Sequence, residues 1–369
     1  MLIGIKSPTD AGSAPVTWLV SVVGRLMDSR PAGAASSRRT VPRRPMIDSD
    51  DPTAIESSPT GGARQVHNLP FNRPGRFWRG SLHTHSNRSD GALPPEEIGR
   101  LYQEAGYDFM AITDHFRAAY AFPLTDTRAL RTTGFTTLPG AELHAPRTEF
   151  ATEWHIIAIG LPLGFPPPDP AESGPELARR ARAVGAFIGM AHPAASLLTL
   201  TNAESLDAAH AVEVHNALSA WEDRGDSWHL CDLLLARGRR LNVYAADDAQ
   251  IQPQDPPGCA AWVQVRAESL DPAALLSALK AGHYYSSNGP EIHLIRIHDG
   301  RITVRCSPVS KVLVTGGVPG KQVQAGRALT ECTLSLDTFR TSAYVRVTVV
   351  DAADRRAWSN PIWLHHLAA

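Results

Sequence analysis

The chain of 369 residues is long enough for about two to three domains and a sizeable buried core. It has 36 basic and 37 acidic residues, a formal net charge of -1 and 43% apolar residues, which is typical of a soluble globular protein. This balance excludes a general binder of nucleic acids or membrane surfaces, because a strong positive excess normally meets such partners. The four cysteines are widely spaced, which predicts reduced thiols and a cytoplasmic location.

Residues 1–75 are rich in Pro, Ser, Gly and Arg and contain one apolar run, 16–23. That run is too short to cross a bilayer, which takes about 20 apolar residues. We expect a disordered tail. A signal peptide and a true start at Met46 are the alternatives.

From residue 76 short apolar runs alternate with segments of helical period, which indicates strand and helix units around a parallel sheet or barrel. Strands are predicted near 77–83, 108–113, 136–142, 186–191, 211–215, 241–246 and 261–266. Helices are predicted over 95–105, 173–184, 222–237 and 272–281. The first helix has the clearest ends, because Pro94 and Pro95 open it, Glu96 lies in its first turn and Gly106 ends it.

After Pro290 the helical period disappears and short runs with alternating apolar residues follow to the end of the chain. Turn residues such as Asp299-Gly300 and Gly316-Gly317 separate these runs. We therefore expect two folded parts, an α/β part over 76–290 and a small all-β domain over 291–369.

Histidine and carboxylate residues follow the ends of several predicted strands. His83 and His85 end the first strand, and both rings point to the same side because side chains alternate along a strand. Further donors occur at or near later strand ends, at Asp90, His115, Glu142, His155, His192 and Asp248. The C-terminal strand ends of a parallel barrel meet at one mouth, and imidazole with carboxylate suits zinc, manganese and iron. The sequence therefore predicts a centre for at least two divalent ions, with Glu142 able to bridge them.

We predict structural roles for other polar and aromatic residues of this region. His144, His210, His215 and His229 are predicted to be hydrogen-bonded core residues. Trp221, Trp228 and Trp262 are predicted to pack in the core. Asp114 and Asp247 are predicted to orient metal-bound imidazoles.

Several motifs resemble the PHP family, named for polymerase and histidinol phosphatase. They are GSLHTHS (80–86), SDG (89–91), GYDFMAITDH (106–115), PGAE (139–142) and AHP (191–193), together with His155. The resemblance covers residues 77–290. It implies a distorted (β/α)7 barrel that holds up to three metal ions and hydrolyses phosphate esters.

The resemblance also implies how the ligands are shared among the ions. The first ion would be held by His83, His85, Glu142 and Asp248. The second would be held by Glu142, His155 and His192. The third would be held by Asp90, His115 and a last position that is Gln250 in this chain. An amide oxygen is a weaker ligand than imidazole, so we expect the third ion to be loosely held or absent.

Together these residues predict a metal-dependent phosphoesterase that hydrolyses a small phosphate ester with a water molecule activated by two to three manganese, zinc or iron ions. Asp248 and His192 are predicted to be catalytic. Arg117 is predicted either to contact the phosphate or to be a solvated loop charge. We expect no membrane partner, and nucleic acid only as a nucleotide-like substrate.

Two alternatives stay open. The segments 262–266, 284–290 and 358–361 resemble a branch of the family with an added β domain that includes aryl carbamate hydrolases, which favours a carbamate or carboxylic ester hydrolase on the same centre. Gln250 favours a weakened, non-catalytic binding protein.

Overall fold

The structure, a computed structural model, describes residues 70–364. The predicted tail, residues 1–75, lies outside the described residues except for its last six positions. Within the described part the strands are β1 Arg76–Ser81, β2 Phe109–Ile112, β3 His115–Phe116, β4 Thr136–Ala145, β5 Trp154–Ile159, β6 Phe187–Met190, β7 Ala211–Asn216, β8 Asn242–Ala246, β9 Trp262–Ala267, β10 Tyr284–Ser287, β11 Ile292–His298, β12 Arg301–Gly316, β13 Lys321–Ser335, β14 Tyr344–Val350, β15 Arg356–Ser359 and β16 Ile362–Trp363. The helices are α1 Pro95–Glu104, α2 Gly174–Ala183, α3 Leu200–Ser205, α4 Ala217–Trp221, α5 Trp228–Ala236 and α6 Pro272–Lys280.

One large mixed sheet contains these strands, in the order β11-β12-β14-β15-β10-β9-β1-β2-β4-β5-β6-β7-β8, with β13, β16 and β3 paired beside that path. The prediction of a mixed α/β fold is confirmed. The regular alternation expected of a (β/α)7 barrel is not seen, because β5 runs antiparallel to both β4 and β6. The loop 146–153 between β4 and β5 is too short for the crossover of about a dozen residues that parallel strands need.

The ends of β1 and β8 lie side by side. Thr84 and Ala249 form a parallel bridge just beyond the two strands. The backbone N–H of His85 donates to the carbonyl of Ala249 at 2.9 Å, and the N–H of Asp248 donates to the carbonyl of His83 at 3.0 Å. These bonds bring the predicted ligands His83 and His85 next to the predicted ligand Asp248.

Apolar clusters lie under both predicted parts of the chain, and one of them joins the two parts, because it contains Tyr344 and Trp358 together with residues of β4–β8. One buried cluster beneath the α/β strands includes Phe109, Tyr244 and Leu275. Another contains residues of the C-terminal strands, such as Ile302 and Val347, together with the ring of Tyr285. The described residues after Pro290 form strands β11–β16 and one short 3-10 helix, as expected for an all-β part.

The long hairpin of β12 and β13 differs most from the predicted elements. The sequence predicts only short runs after Pro290, whereas β12 is one long strand. Register shifts around Val309 interrupt its alternation, and Pro308 cannot donate a ladder hydrogen bond. Most of β13 is exposed, so it lacks the apolar alternation that marks a half-buried strand. The turn at Asp299-Gly300 was predicted correctly, and both residues have the positive φ of a tight hairpin, 48° and 65°.

Two further expectations concern the whole described region. Cys231, Cys306 and Cys332 are buried and Cys259 is half-buried, and all four are free thiols as predicted. Within residues 70–364, no helix combines the length and apolar character needed to span a bilayer.

Candidate metal centre

Strand ends bring the predicted ligands into one buried cluster. His83 and His85 follow β1, and Asp248 follows β8. Glu142 and His155 come from the paired strands β4 and β5, and His192 follows β6. The backbones of His192 and Asp248 have φ of 25° and 54°, a conformation that non-glycine residues seldom adopt and that clusters at functional sites.

Two groups of ligand atoms share this cluster. Asp248 Oδ1 lies 3.1 Å from His83 Nε2 and 2.9 Å from His85 Nε2. Glu142 Oε1 lies 2.7 Å from His155 Nδ1 and 3.2 Å from His192 Nε2. Glu142 also lies between the groups, with its oxygens 3.8 Å from His83 Nε2 and 3.7 Å from His85 Nε2. The predicted bridging position of this carboxylate is thus the centre of the cluster.

The residues expected to hold a third ion lie at one side. His115 Nε2 is 3.1 Å from Asp90 Oδ2, and His115 Nδ1 is 2.5 Å from Glu142 Oε2. Asp90 Oδ1 is also 3.5 Å from His85 Nδ1. Gln250 lines the same cavity as His115.

The donor set fits divalent ions. His83 Nε2, His85 Nε2 and Glu142 Oε2 are buried, and none makes a well-directed hydrogen bond within the described chain, although charged atoms of Asp248 and His115 lie 2.5–3.1 Å away. A buried polar atom without a partner costs about 1–3 kcal/mol, so three of them in one cluster call for an explanation. A cation among nitrogen and oxygen donors of this kind would supply the missing partner.

Charges within the cluster keep the carboxylates ionised. Burial raises the pKa of Glu142, but the rings of His155, His144 and His115 outweigh it and hold that pKa well below the usual range. Burial likewise opposes ionisation of Asp248, and His83 and His85 overcome it, so its pKa is also lowered. Both side chains therefore carry the charge that a metal ligand needs.

Glu213 supports the cluster and was not predicted. Its Oε1 accepts a hydrogen bond from His83 Nδ1 at 3.1 Å, and its Oε2 accepts from the backbone N–H of His192 at 2.6 Å and from Asn216 Nδ2 at 3.1 Å. Because Nδ1 of His83 carries the proton that is donated to Glu213, Nε2 is left with a free lone pair. That nitrogen faces Asp248. The signal was present in the sequence, since Glu213 is a charged residue inside the buried apolar strand β7.

His144 is a buried, hydrogen-bonded residue as predicted, and it also lies beside the cluster. Its Nε2 lies 2.8 Å from His115 Nδ1, and its Nδ1 lies 3.1 Å from a guanidinium nitrogen of Arg117. It stands two positions after Glu142 in β4, hence on the same face, which the strand period could have revealed.

The other three histidines differ among themselves. His210 and His215 are half-buried and hydrogen-bonded, whereas His229 is exposed, contrary to prediction.

Asp114 and Asp247 contact no imidazole in any described hydrogen bond or ion pair, so their predicted role was wrong. Asp114 accepts hydrogen bonds from Ser86, Ser89 and Thr125 and thereby holds the turn that carries Asp90. Asp247 accepts from the hydroxyl of Tyr102 and from three backbone N–H groups at 259–261. Both carboxylates organise backbone near the site.

A cavity of about 670 Å³ opens onto the cluster. Its lining includes His115, His155, His192, Asp248 and, at the surface, Trp221. Trp221 is 71% exposed, so the prediction that it packs in the core was wrong. Trp228 is buried as predicted, and Trp262 is half-buried.

Arg117 faces a neighbouring cavity of about 330 Å³. Its guanidinium pairs with Glu153 at 2.6 Å besides contacting His144.

Solved structures with a related arrangement include three bacterial proteins. A two-domain protein from Bacteroides vulgatus, said to contain a predicted PHP-like metal-dependent phosphoesterase, is 14% identical over 78% of this chain and 97% of its own, with a TM-score of 0.44. A proposed metal-dependent phosphoesterase from Bifidobacterium adolescentis is 17% identical over 46% of this chain and 87% of its own, with a TM-score of 0.35. An amidohydrolase from Chromobacterium violaceum, with bound sulfate and no metal, is 16% identical over the same shares, with a TM-score of 0.36.

No protein-family model and no curated protein matches the chain.

Proposed function

We propose that the protein is a metal-dependent hydrolase of a small phosphate ester. The observation that carries this proposal is the buried cluster in which unpartnered atoms of His83, His85 and Glu142 face one another beside the ionised carboxylate of Asp248. A first ion would be held by His83, His85, Glu142 and Asp248, and a second by Glu142, His155 and His192. Asp90 and His115, with Gln250 in the same cavity, would hold a third ion weakly.

Bound ions of manganese, zinc or iron acidify a water molecule and neutralise charge on the ester oxygens. The chain's own residues orient the reactants. The hydroxyl of Ser196 lies 2.9 Å from His192 Nδ1 and thereby fixes the ring that directs Nε2 at Glu142. Asp248 lines the cavity and would contact the substrate. Arg117 stays a proposed phosphate contact, and the phosphate would have to take the place that Glu153 now occupies beside it.

The same proposal includes the architecture around the centre. The bridge between Thr84 and Ala249, which joins the ends of β1 and β8, supports a distorted barrel over 76–290. The apolar cluster formed mainly by the C-terminal strands supports a second domain over 291–369. We also propose a cytoplasmic location.

The second candidate is a carbamate or carboxylic ester hydrolase on the same centre. One observation favours it: the described lining of the main cavity includes no lysine or arginine, the side chains that usually contact phosphate. A third candidate, a weakened binding protein, depends on Gln250 and predicts metal without turnover.

Metal analysis of the purified full chain, followed by an activity screen with manganese and zinc, tests these candidates. The screen compares phosphate monoesters, phosphate diesters, aryl carbamates and carboxylic esters. We expect bound metal and the fastest turnover with a phosphate ester. Asp248→Ala should lose both metal and turnover, whereas His293→Ala, at an exposed position of the β part, should keep them. Full activity of the Asp248→Ala variant would refute the metal-dependent mechanism.

A further inference from the structure

Asn216 ends strand β7, and only 1% of its surface is exposed. Its side-chain NH2 group donates to Glu213 Oε2 at 3.1 Å and to Asp248 Oδ2 at 3.1 Å. Its amide oxygen accepts the backbone N–H of Ser219 at 2.8 Å. An asparagine side chain has two N–H donors, so each of the two carboxylates can take one of them. Both polar atoms of this side chain are therefore engaged.

The two oxygens of Asp248 have different partners. Oδ1 lies 3.1 Å from His83 Nε2 and 2.9 Å from His85 Nε2. Oδ2 accepts the hydrogen bond from Asn216 and lies 3.7 Å from His192 Nε2. The terminal torsion of an aspartate is broad and roughly two-fold, so a carboxylate without a partner can present either oxygen. The amide of Asn216 selects one arrangement, in which Oδ1 faces the predicted ligands of the first ion.

Asn216 also reaches the imidazole side of the cluster, through Glu213. That carboxylate accepts from His83 Nδ1 at 3.1 Å and from the backbone N–H of His192 at 2.6 Å. Asn216 therefore contacts both a predicted carboxylate ligand and the carboxylate that orients a predicted imidazole ligand. An amide donates to two carboxylates without adding a charge, whereas a lysine at this position would repel a bound metal ion.

The amide oxygen of Asn216 connects the cluster to the wall of the main cavity. Asn216 is the N-cap of helix α4, and its oxygen accepts from Ser219 in the first turn of that helix. Leu218, Ser219 and Trp221 of α4 line the cavity. Loss of this side chain would therefore remove a helix cap as well as the two donors to carboxylates.

We propose that Asn216 is a positioning residue of the metal centre, which holds Asp248 so that the first ion is bound through Oδ1 alone. This inference rests on the proposed metal-dependent function but not on the identity of the ester. Without the NH2 group the carboxylate of Asp248 is free to turn, Oδ2 can approach the ion, and Glu213 loses one of its three donors. The ion is then bound less tightly, because its ligands are no longer held in place, and through more oxygen atoms.

The test uses the full chain with two substitutions of Asn216. Asn216→Ser keeps a good N-cap residue but has a shorter side chain with a single donor, whereas Asn216→Ala removes the cap as well. Competition with a chromophoric chelator should show that both variants raise the Kd for manganese by about 10–100-fold, the usual effect of losing a partner behind a metal ligand. Thermal unfolding without metal should give a lower Tm for Asn216→Ala than for Asn216→Ser. Asp271→Ala, which removes the N-cap of helix α6 outside the cluster, should lower the Tm and leave the Kd unchanged.

Cobalt gives a second readout that a helix cap alone would not change. Bound Co²⁺ absorbs visible light less strongly as its coordination number rises, so Asn216→Ser should weaken the absorption of the first equivalent of cobalt. The inference is overturned if Asn216→Ser binds manganese within about twofold of the parent's Kd, or if its cobalt spectrum equals the parent's. Either result, with a parent chain that binds metal, leaves the proposed function standing. A parent chain that binds neither manganese nor cobalt would instead refute the metal-dependent function and this inference together.

Discussion

Replacing Glu213 by Gln should weaken the metal centre although Glu213 lies behind it. Three donors point at this carboxylate, from the His83 ring, the His192 backbone and the Asn216 amide. A carboxylate can accept from all three, whereas the amide of Gln has only one oxygen. One donor at least would then face the NH2 group.

The size of the effect follows from these contacts. A hydrogen bond to a charged group contributes about 1.5–3 kcal/mol, and a buried donor left without a partner costs about 1–3 kcal/mol. Changes to the partner of a metal-binding histidine typically lower affinity or activity by about 10–100-fold. We therefore expect Glu213→Gln to raise the Kd for the tightest ion by that factor, about 1.4–2.7 kcal/mol.

Competition with a chromophoric chelator measures the Kd for the ion. Thermal unfolding measures how much the substitution lowers the stability of the folded protein. Asp247→Asn is the matched control, because Asp247 is also buried and accepts several hydrogen bonds but contacts no described imidazole. It should lower the free energy of unfolding with a much smaller change in metal affinity. A Glu213→Gln variant whose Kd stays within about twofold of the parent would refute the positioning role.

Two further predictions concern the third ion and a histidine outside the centre. Gln250→His places an imidazole in the cavity beside His115, so the metal-to-chain ratio measured by elemental analysis and the turnover of a phosphate ester should both rise; an unchanged ratio would contradict the role given to this position. For His210, burial, with smaller contributions from Arg182 and Lys280, lowers the pKa to about 4, and its Nδ1 accepts the backbone N–H of Ile188 at 2.9 Å. Its folded pKa lies below the ordinary histidine pKa of about 6.5, so its contribution to stability is present above that pH and is lost as the pH falls towards about 4. His210→Asn keeps an acceptor without the titration, and chemical unfolding between pH 7 and pH 4.5 should show a smaller loss of stability than in the parent; equal losses would contradict this assignment.

The strand-end pattern was sufficient to predict most of the cluster, because side-chain alternation is local in sequence and the carboxyl ends of parallel strands meet at one edge. His83 and His85 are two positions apart in the sequence, and the period of two already places their rings on one face. Glu213 was not predicted, because it contacts the cluster through His83 and His192, which are far away in sequence, and a charged residue in a buried strand does not reveal its partner. The place of His144 beside the cluster was not predicted either, although its spacing of two from Glu142 puts both side chains on one face of β4.

The exposure of Trp221 could not be predicted from composition. An aromatic residue next to a predicted helix is usually buried, and the helical period suggested one long helix over 222–237. The structure instead ends a short helix at Trp221 and begins α5 at Trp228, so the intervening residues form a loop at the mouth of the cavity. Short helices carry too few turns for periodicity to show where they end.

The antiparallel direction of β5, which departs from a regular barrel, helps to build the cluster of predicted ligands. His155 is the second residue of β5, so it lies at the beginning of that strand. In a repeating strand and helix unit the next strand would run parallel to β4, and its beginning would lie at the end of the barrel away from the strand-end ligands. Because β5 is antiparallel, His155 lies opposite His144 in the register, and its Nδ1 comes within 2.7 Å of Glu142. The short connection that makes β5 antiparallel therefore also places His155 beside Glu142, and lengthening it to restore a parallel strand would remove His155 from the cluster.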